Sequence, residues 1–131
     1  MAVYGKILII DDEEIVRDLL AEVLSDADFQ AVTAENGLVA LDLFRNAETV
    51  FDLVIVDMSM PGMSGPEVCK ALRTINPFQK IIIATGNYST DEEVAELKKN
   101  GISQIVRKPF NMGELFSIID SLKVRNNVAQ A

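Results

Sequence analysis

FDLVIVDMSMPGMSG, residues 51–65, is the stretch that decides how this 131-residue chain folds. Leu53, Val54, Ile55 and Val56 form a short unbroken apolar run, the pattern of a strand buried on both faces of a parallel sheet. The run ends on Asp57. A carboxylate at the exit of a buried strand is costly to desolvate unless something pairs with it. Pro61, Gly62 and Gly65 then supply a turn-rich loop, which places Asp57 at the rim of the sheet, where ligands of open α/β folds bind. On this stretch alone, Asp57 reads as a loop cap before it reads as a catalytic group.

The same pattern recurs on both sides. Residues 7–10 are a second β-branched run, and they too end on acids, Asp11 and Asp12, followed by Glu13 and Glu14. From 13 to 27, Ile15, Leu19 and Val23 run beside Val16, Leu20 and Leu24 at four-residue spacing, which predicts a helix with two adjacent rows facing inward. The acids at its start suit the positive end of that helix. Residues 29–34 predict a second strand, and Asn36 caps a helix over 37–45 with Leu38, Leu41 and Phe44 inside.

After the central strand, Ser64 and Glu67 have capping-box spacing, with Pro66 in the first turn, and Val68, Leu72 and Ile75 form the inner face of a third helix ended by Asn76 and Pro77. KIIIA, residues 80–84, is a fourth buried strand that closes on Thr85 and Gly86. Thr90 and Glu93 give another capping box, for a helix to Lys99 whose only sizeable apolar residues are Val94 and Leu97. So thin a face suits a moving part or a binding surface as well as it suits a solvated helix. Asn100 and Gly101 stop it. A short strand over 102–106 leads into Arg107, Lys108, Pro109 and Phe110, and Asn111 caps a last helix carrying Leu115, Ile118, Ile119 and Leu122.

Five strands alternate with five helices, with short connections and no repeat, so the expectation is one domain over residues 1–123 and a tail or linker stub over 124–131. Regular βα alternation predicts a parallel sheet with helices on both faces. At this size the arrangement is a flavodoxin-like, doubly wound (βα)5 fold, strand order 2-1-3-4-5, with a site where strands 1 and 3 part.

Composition narrows the function. Apolar residues make up 49% of the chain, which argues against disorder, and the net charge of -8 argues against gripping phosphate backbones directly. Cys69 stands alone in a helical pattern, so no internal disulfide forms and a buried small hydrophobe is its better reading. The absence of histidine excludes histidine triads, histidine-based zinc sites and a histidine phosphocarrier within this chain. No apolar run approaches the ~20 residues of a membrane span, and a cytoplasmic protein is expected.

In a parallel sheet of this order the ends of strands 1, 3, 4 and 5 lie side by side on one edge. Asp11 and Asp12, Asp57, Thr85 and Lys108 should therefore converge. Three clustered carboxylates resist ionising together unless a cation sits among them, and hard oxygen ligands with room for water fit Mg²⁺. A carboxylate beside Mg²⁺ and a lysine ammonium can attack a phosphoryl group, because the cations balance charge on its equatorial oxygens. The Thr85 hydroxyl could hydrogen-bond the product.

These residues carry a resemblance. Asp11-Asp12, Asp57 followed by Met60-Pro61-Gly62, Thr85-Gly86 and Lys108-Pro109-Phe110 make the chain resemble, from about residue 6 to 123, the receiver domain of two-component response regulators. The resemblance implies that Asp57 accepts a phosphoryl group from a sensor histidine kinase or histidine phosphotransfer domain. It further implies that Asp12 binds Mg²⁺ directly, Asp11 through water, and the Ser59 carbonyl as a further ligand. Lys108 would pair with the phosphoryl group, Thr85 would move toward it, and a cis peptide would precede Pro109. The output would be a switched contact with a downstream protein or an appended output domain, without enzymatic turnover beyond the domain's own phosphorylation and dephosphorylation.

The chain departs from the family at the switch. Where an aromatic residue often stands, three positions before the lysine, it has Ile105, which cannot present a phenolic hydroxyl. The resemblance implies that the positions two after the acceptor aspartate and two after the threonine tune dephosphorylation; here they are Ser59 and Asn87, and neither is a strong acid or base, so an acyl phosphate of ordinary rather than very short life is expected. Three other readings compete. An aspartate-nucleophile phosphatase would want an acid at Ser59, a flavodoxin would want a hydroxyl- and glycine-rich loop after strand 1, and a degenerate scaffold would not keep every one of these positions filled.

Overall fold

The computed structural model describes residues 5–46, 50–86, 90–99, 101–102 and 104–122. Five strands, β1 (Lys6–Ile10), β2 (Gln30–Ala34), β3 (Leu53–Asp57), β4 (Ile81–Thr85) and β5 (Gln104–Arg107), pair in parallel in the order β2-β1-β3-β4-β5. Helices α1 (Glu14–Asp26), α2 (Gly37–Asn46), α3 (Gly65–Ile75), α4 (Asp91–Lys99) and α5 (Met112–Ser121) make the connections. The flavodoxin-like expectation holds, and each strand lies within two residues of its predicted place.

Alternation along the strands sends side chains to two separate cores. Leu8, Ile10, Val54, Val56, Ile81 and Ile83 pack with residues of α2, α3 and α4 on one face. Ile7, Ile9, Leu53, Ile55 and Ile82 pack with α1 and α5 on the other. Every residue of β3 and β4 is buried, which is why their sequences show no polar alternation.

Several predicted inner positions turn out to face solvent. On α1 the row Leu20 and Leu24 is buried, whereas Ile15 is 83% and Leu19 50% exposed. Two adjacent rows span more of the helix than one flat sheet can cover, so only the row centred on the contact is buried. Leu38 is 68% exposed because α2 presents Gly37, Ala40, Leu41 and Phe44 instead. Ile75 ends α3 and is also exposed. On α4 Leu97 is the one buried residue, as the thin face predicts. Among the described residues no helix is long and apolar enough to cross a membrane. The expected boundary near residue 123 and the tail lie outside the described residues.

Candidate phosphoryl-acceptor site

Sheet register assembles the site. Ile10 pairs with Val56, so Asp11 and Asp57, each one residue further on, emerge side by side where β1 and β3 part. Asp57 pairs with Ala84, and Thr85 with Arg107, which brings the ends of β4 and β5 to the same edge. Ligand oxygens from Asp11, Asp12 and Asp57 all lie within 4.8 Å of one another. Asp11 and Asp57 are buried and Asp12 is exposed.

Lys108 crosses to these acids from the far strand. Its Nζ lies 2.7 Å from Asp11 Oδ2, 3.2 Å from Asp57 Oδ1 and 3.7 Å from Glu13 Oε1. The Lys108 backbone N–H donates to the Thr85 carbonyl at 2.7 Å, and the peptide to Pro109 is cis, as the resemblance implies. Burial and the neighbouring Asp11 push the Asp57 carboxyl up to about 6, with Lys108 opposing them. Burial works against the Lys108 charge, but the Asp11 hydrogen bond and the two carboxylates outweigh it and hold the ammonium above its usual range.

Thr85 is buried, and its hydroxyl donates to the Gly86 carbonyl at 2.7 Å. Ser59 is exposed and lines an open cleft of about 430 Å³ together with Asp12, Asp57, Gly86 and Lys108. Ile105 is half-buried, opposite Ile83 in β4, and packs on the core of that face. Asn87 lies outside the described residues.

Some contributors were not legible beforehand. Glu13, read as a helix-dipole acid, reaches Lys108, and its backbone N–H donates to Asp11 Oδ1 at 2.9 Å. Arg17 Nη1 donates to the Asp11 carbonyl at 2.7 Å, fixing the strand end from one helical turn away. Glu93, half of the α4 capping box with Thr90, also lines the cleft. Gly65 is needed because a Cβ there would stand 2.4 Å from the Asp57 carbonyl oxygen. Its N–H donates to the Met58 carbonyl, so the loop closes tightly under Asp57.

A family model described as the response regulator receiver domain matches residues 7–120. Sporulation initiation phosphotransferase F of Bacillus subtilis (strain 168) is 38% identical over 110 residues, covering 84% of this chain and 86% of that protein. Other curated relatives are longer, and the chain spans only 32%, 52% or 25% of three of them. The chemotaxis protein CheY4 of Vibrio cholerae superposes with a TM-score of 0.84 at 30% identity, over 92% of this chain and 99% of that one. The response regulator protein TrrA of Thermotoga maritima, solved in complex with Mg²⁺-BeF, gives a TM-score of 0.77 at 36% identity, over 90% and 98% of the two chains.

Proposed function

The chain belongs to the response regulator receiver domain family, phosphorylation-activated modules of two-component signalling, and from that premise we propose that Asp57 is its phosphoryl acceptor. The observation that carries this reading is the Lys108 bridge between Asp11 and Asp57, two buried acids at adjoining strand ends. In the transfer, an Asp57 carboxylate oxygen attacks the phosphorus of a partner's phosphohistidine. The P–N bond breaks, its electron pair stays on the imidazole nitrogen, and Asp57 is left as an acyl phosphate. Lys108 then pairs with a phosphoryl oxygen, and Thr85 rotates its hydroxyl from the Gly86 carbonyl toward the same group.

The acid cluster fits a divalent cation. Three carboxylates with ligand oxygens within 4.8 Å, one of them pushed up in pKa by burial and by the neighbouring Asp11, form a hard oxygen site suited to Mg²⁺. Asp12 and Asp57 would hold it directly, Asp11 through water, and the Ser59 carbonyl would complete the set. Bound there, Mg²⁺ supplies positive charge to the transferring phosphoryl oxygens. The complex of TrrA with Mg²⁺-BeF supports this choice of cation by similarity.

The donor is a sensor histidine kinase or a histidine phosphotransfer domain, and the domain works in the cytoplasm, where such donors present their phosphohistidine. The receiver turns over no substrate beyond its own phosphoryl group. The output is a protein contact or an appended output domain altered by a change of shape over residues 85–116. With Ile105 at the usual aromatic position, the switch works through repacking rather than a swinging phenol. The test is intact mass after incubation with Mg²⁺ and acetyl phosphate. Wild type should gain one phosphoryl group and Asp57→Asn none. An unmodified wild type, under conditions that label a control receiver, would sink the proposal.

A further inference from the structure

A second groove, of about 460 Å³, runs between α3 and α4 and shares no lining residue with the acid cleft. That volume lies in the range of small-molecule sites. Leu97 and Ile102 form its apolar wall, and both are buried. Cys69 also lines it. Burial pushes this thiol up to about 12, so the wall there is neutral and offers no nucleophile.

Two cations face this groove, Lys70 and Arg73, one helical turn apart on α3. Arg73 Nε is buried and has no hydrogen-bond partner among the described residues. Gly101, at φ +84° past the end of α4, approaches so closely that a Cβ there would lie 2.7 Å from Arg73 Nη1. A buried donor without an acceptor is unfavourable, and an acceptor drawn to the guanidinium would relieve it. Arg73 lines the groove, and the paired N–H donors of a planar guanidinium match the two oxygens of a carboxylate. Glu67 lines the groove too, but its Oε1 accepts from the Ser64 N–H at 3.3 Å in the α3 capping box.

We propose that this groove binds a small organic monocarboxylate, with its carboxylate on the Arg73 guanidinium and its apolar body against Leu97 and Ile102. Such a ligand would pack on the one buried residue of α4, and so bears on the position of that helix. The inference stands on Arg73 and the groove, and does not depend on Asp57 accepting a phosphoryl group.

The test is a titration of the full chain, ¹⁵N-labelled, with phenylacetate, followed by amide shifts. Saturable shifts at Cys69, Leu97 and Ile102 are expected, and phenethylamine, the same body with a cationic head, should leave those residues unmoved. Arg73→Met, which keeps the aliphatic stem, should weaken binding roughly tenfold or more, as should Arg73→Lys, which keeps the charge but loses the fork. No saturable shift in the groove, equal binding by either variant, or binding of the amine would overturn the proposal. Inorganic phosphate shifting the same residues more tightly than phenylacetate would overturn the carboxylate assignment.

Discussion

The Lys108 ammonium lies 2.7 Å from Asp11 Oδ2, although 97 residues separate the two along the chain. The acid belongs to the end of β1 and the lysine to the residue after β5, so the pair forms only when the whole sheet is in register. Removing the cation leaves Asp11 and Asp57 buried side by side without compensation. Lys108→Ala should therefore cost about 3 kcal/mol in Mg²⁺-free buffer at neutral pH, measured by urea unfolding. Mg²⁺ should restore part of the loss. Unchanged stability would mean that the bridge does not compensate the acids.

Asp57 should behave in the opposite way. Its pKa is raised from 3.8 to about 6, so the folded chain holds a proton that the unfolded chain releases. Its ionisation thus disfavours the fold, and the stability it costs appears as pH rises from about 4 through 6. Asp57→Asn should be more stable than wild type at pH 7–8 without Mg²⁺, by on the order of 2 kcal/mol, with the gap closing toward pH 4. Mg²⁺ binding, followed by calorimetry because the chain has no tryptophan to quench, should weaken as pH falls through about 6. A variant less stable than wild type at pH 8 would contradict this account.

Gly65 sits where only hydrogen fits. A methyl group there meets the Asp57 carbonyl oxygen at 2.4 Å and Met58 Cα at 2.9 Å, both backbone atoms that cannot swing aside. Gly65→Ala should cost about 1–3 kcal/mol and slow labelling by acetyl phosphate, because the displaced backbone carries the acceptor. Gly86→Ala has nothing among the described residues within 4 Å of its new Cβ and serves as the comparison. Equal behaviour of the two variants would rule out this role for Gly65.

Ile15 and Leu19 on α1 face solvent, and on the proposed function they offer a surface to the phosphodonor. Ile15 is 83% exposed in the helix that starts beside Asp12. Ile15→Ser should change stability by less than about 0.5 kcal/mol. It should leave acetyl phosphate labelling unchanged and slow transfer from a phosphorylated histidine phosphotransfer protein. Equal slowing with both donors would assign Ile15 to the chemistry rather than to docking.

The same residue shows where the sequence stopped being informative. The strands could be placed closely because β3 and β4 are buried on both faces and contain no polar interruption until Asp57 and Thr85. The convergence of Asp11, Asp12, Asp57, Thr85 and Lys108 then followed from strand order alone. Helix faces were less legible. Four-residue spacing on α1 shows two apolar rows, but which row meets the sheet depends on how the helix is rotated, and Ile15 and Leu19 fell outside. Glu13 and Glu93 escaped because each has a sufficient local reading, as a helix-start acid and a cap, and Arg17 escaped because no motif singles it out. Their reach toward the site is a matter of tertiary distance. Gly65 escaped because a close approach between backbones has no sequence signature beyond the turn itself.

The most direct measurement is chemical trapping of the modified residue. After brief incubation with Mg²⁺ and acetyl phosphate, borohydride reduces an acyl phosphate to an alcohol, which peptide mass spectrometry locates. Homoserine at position 57, and at no other aspartate, is the predicted result. Reduction at Asp11 or Asp12, or phosphoryl mass retained on Ser59 with position 57 unmodified, would contradict the assignment of Asp57 as the acceptor.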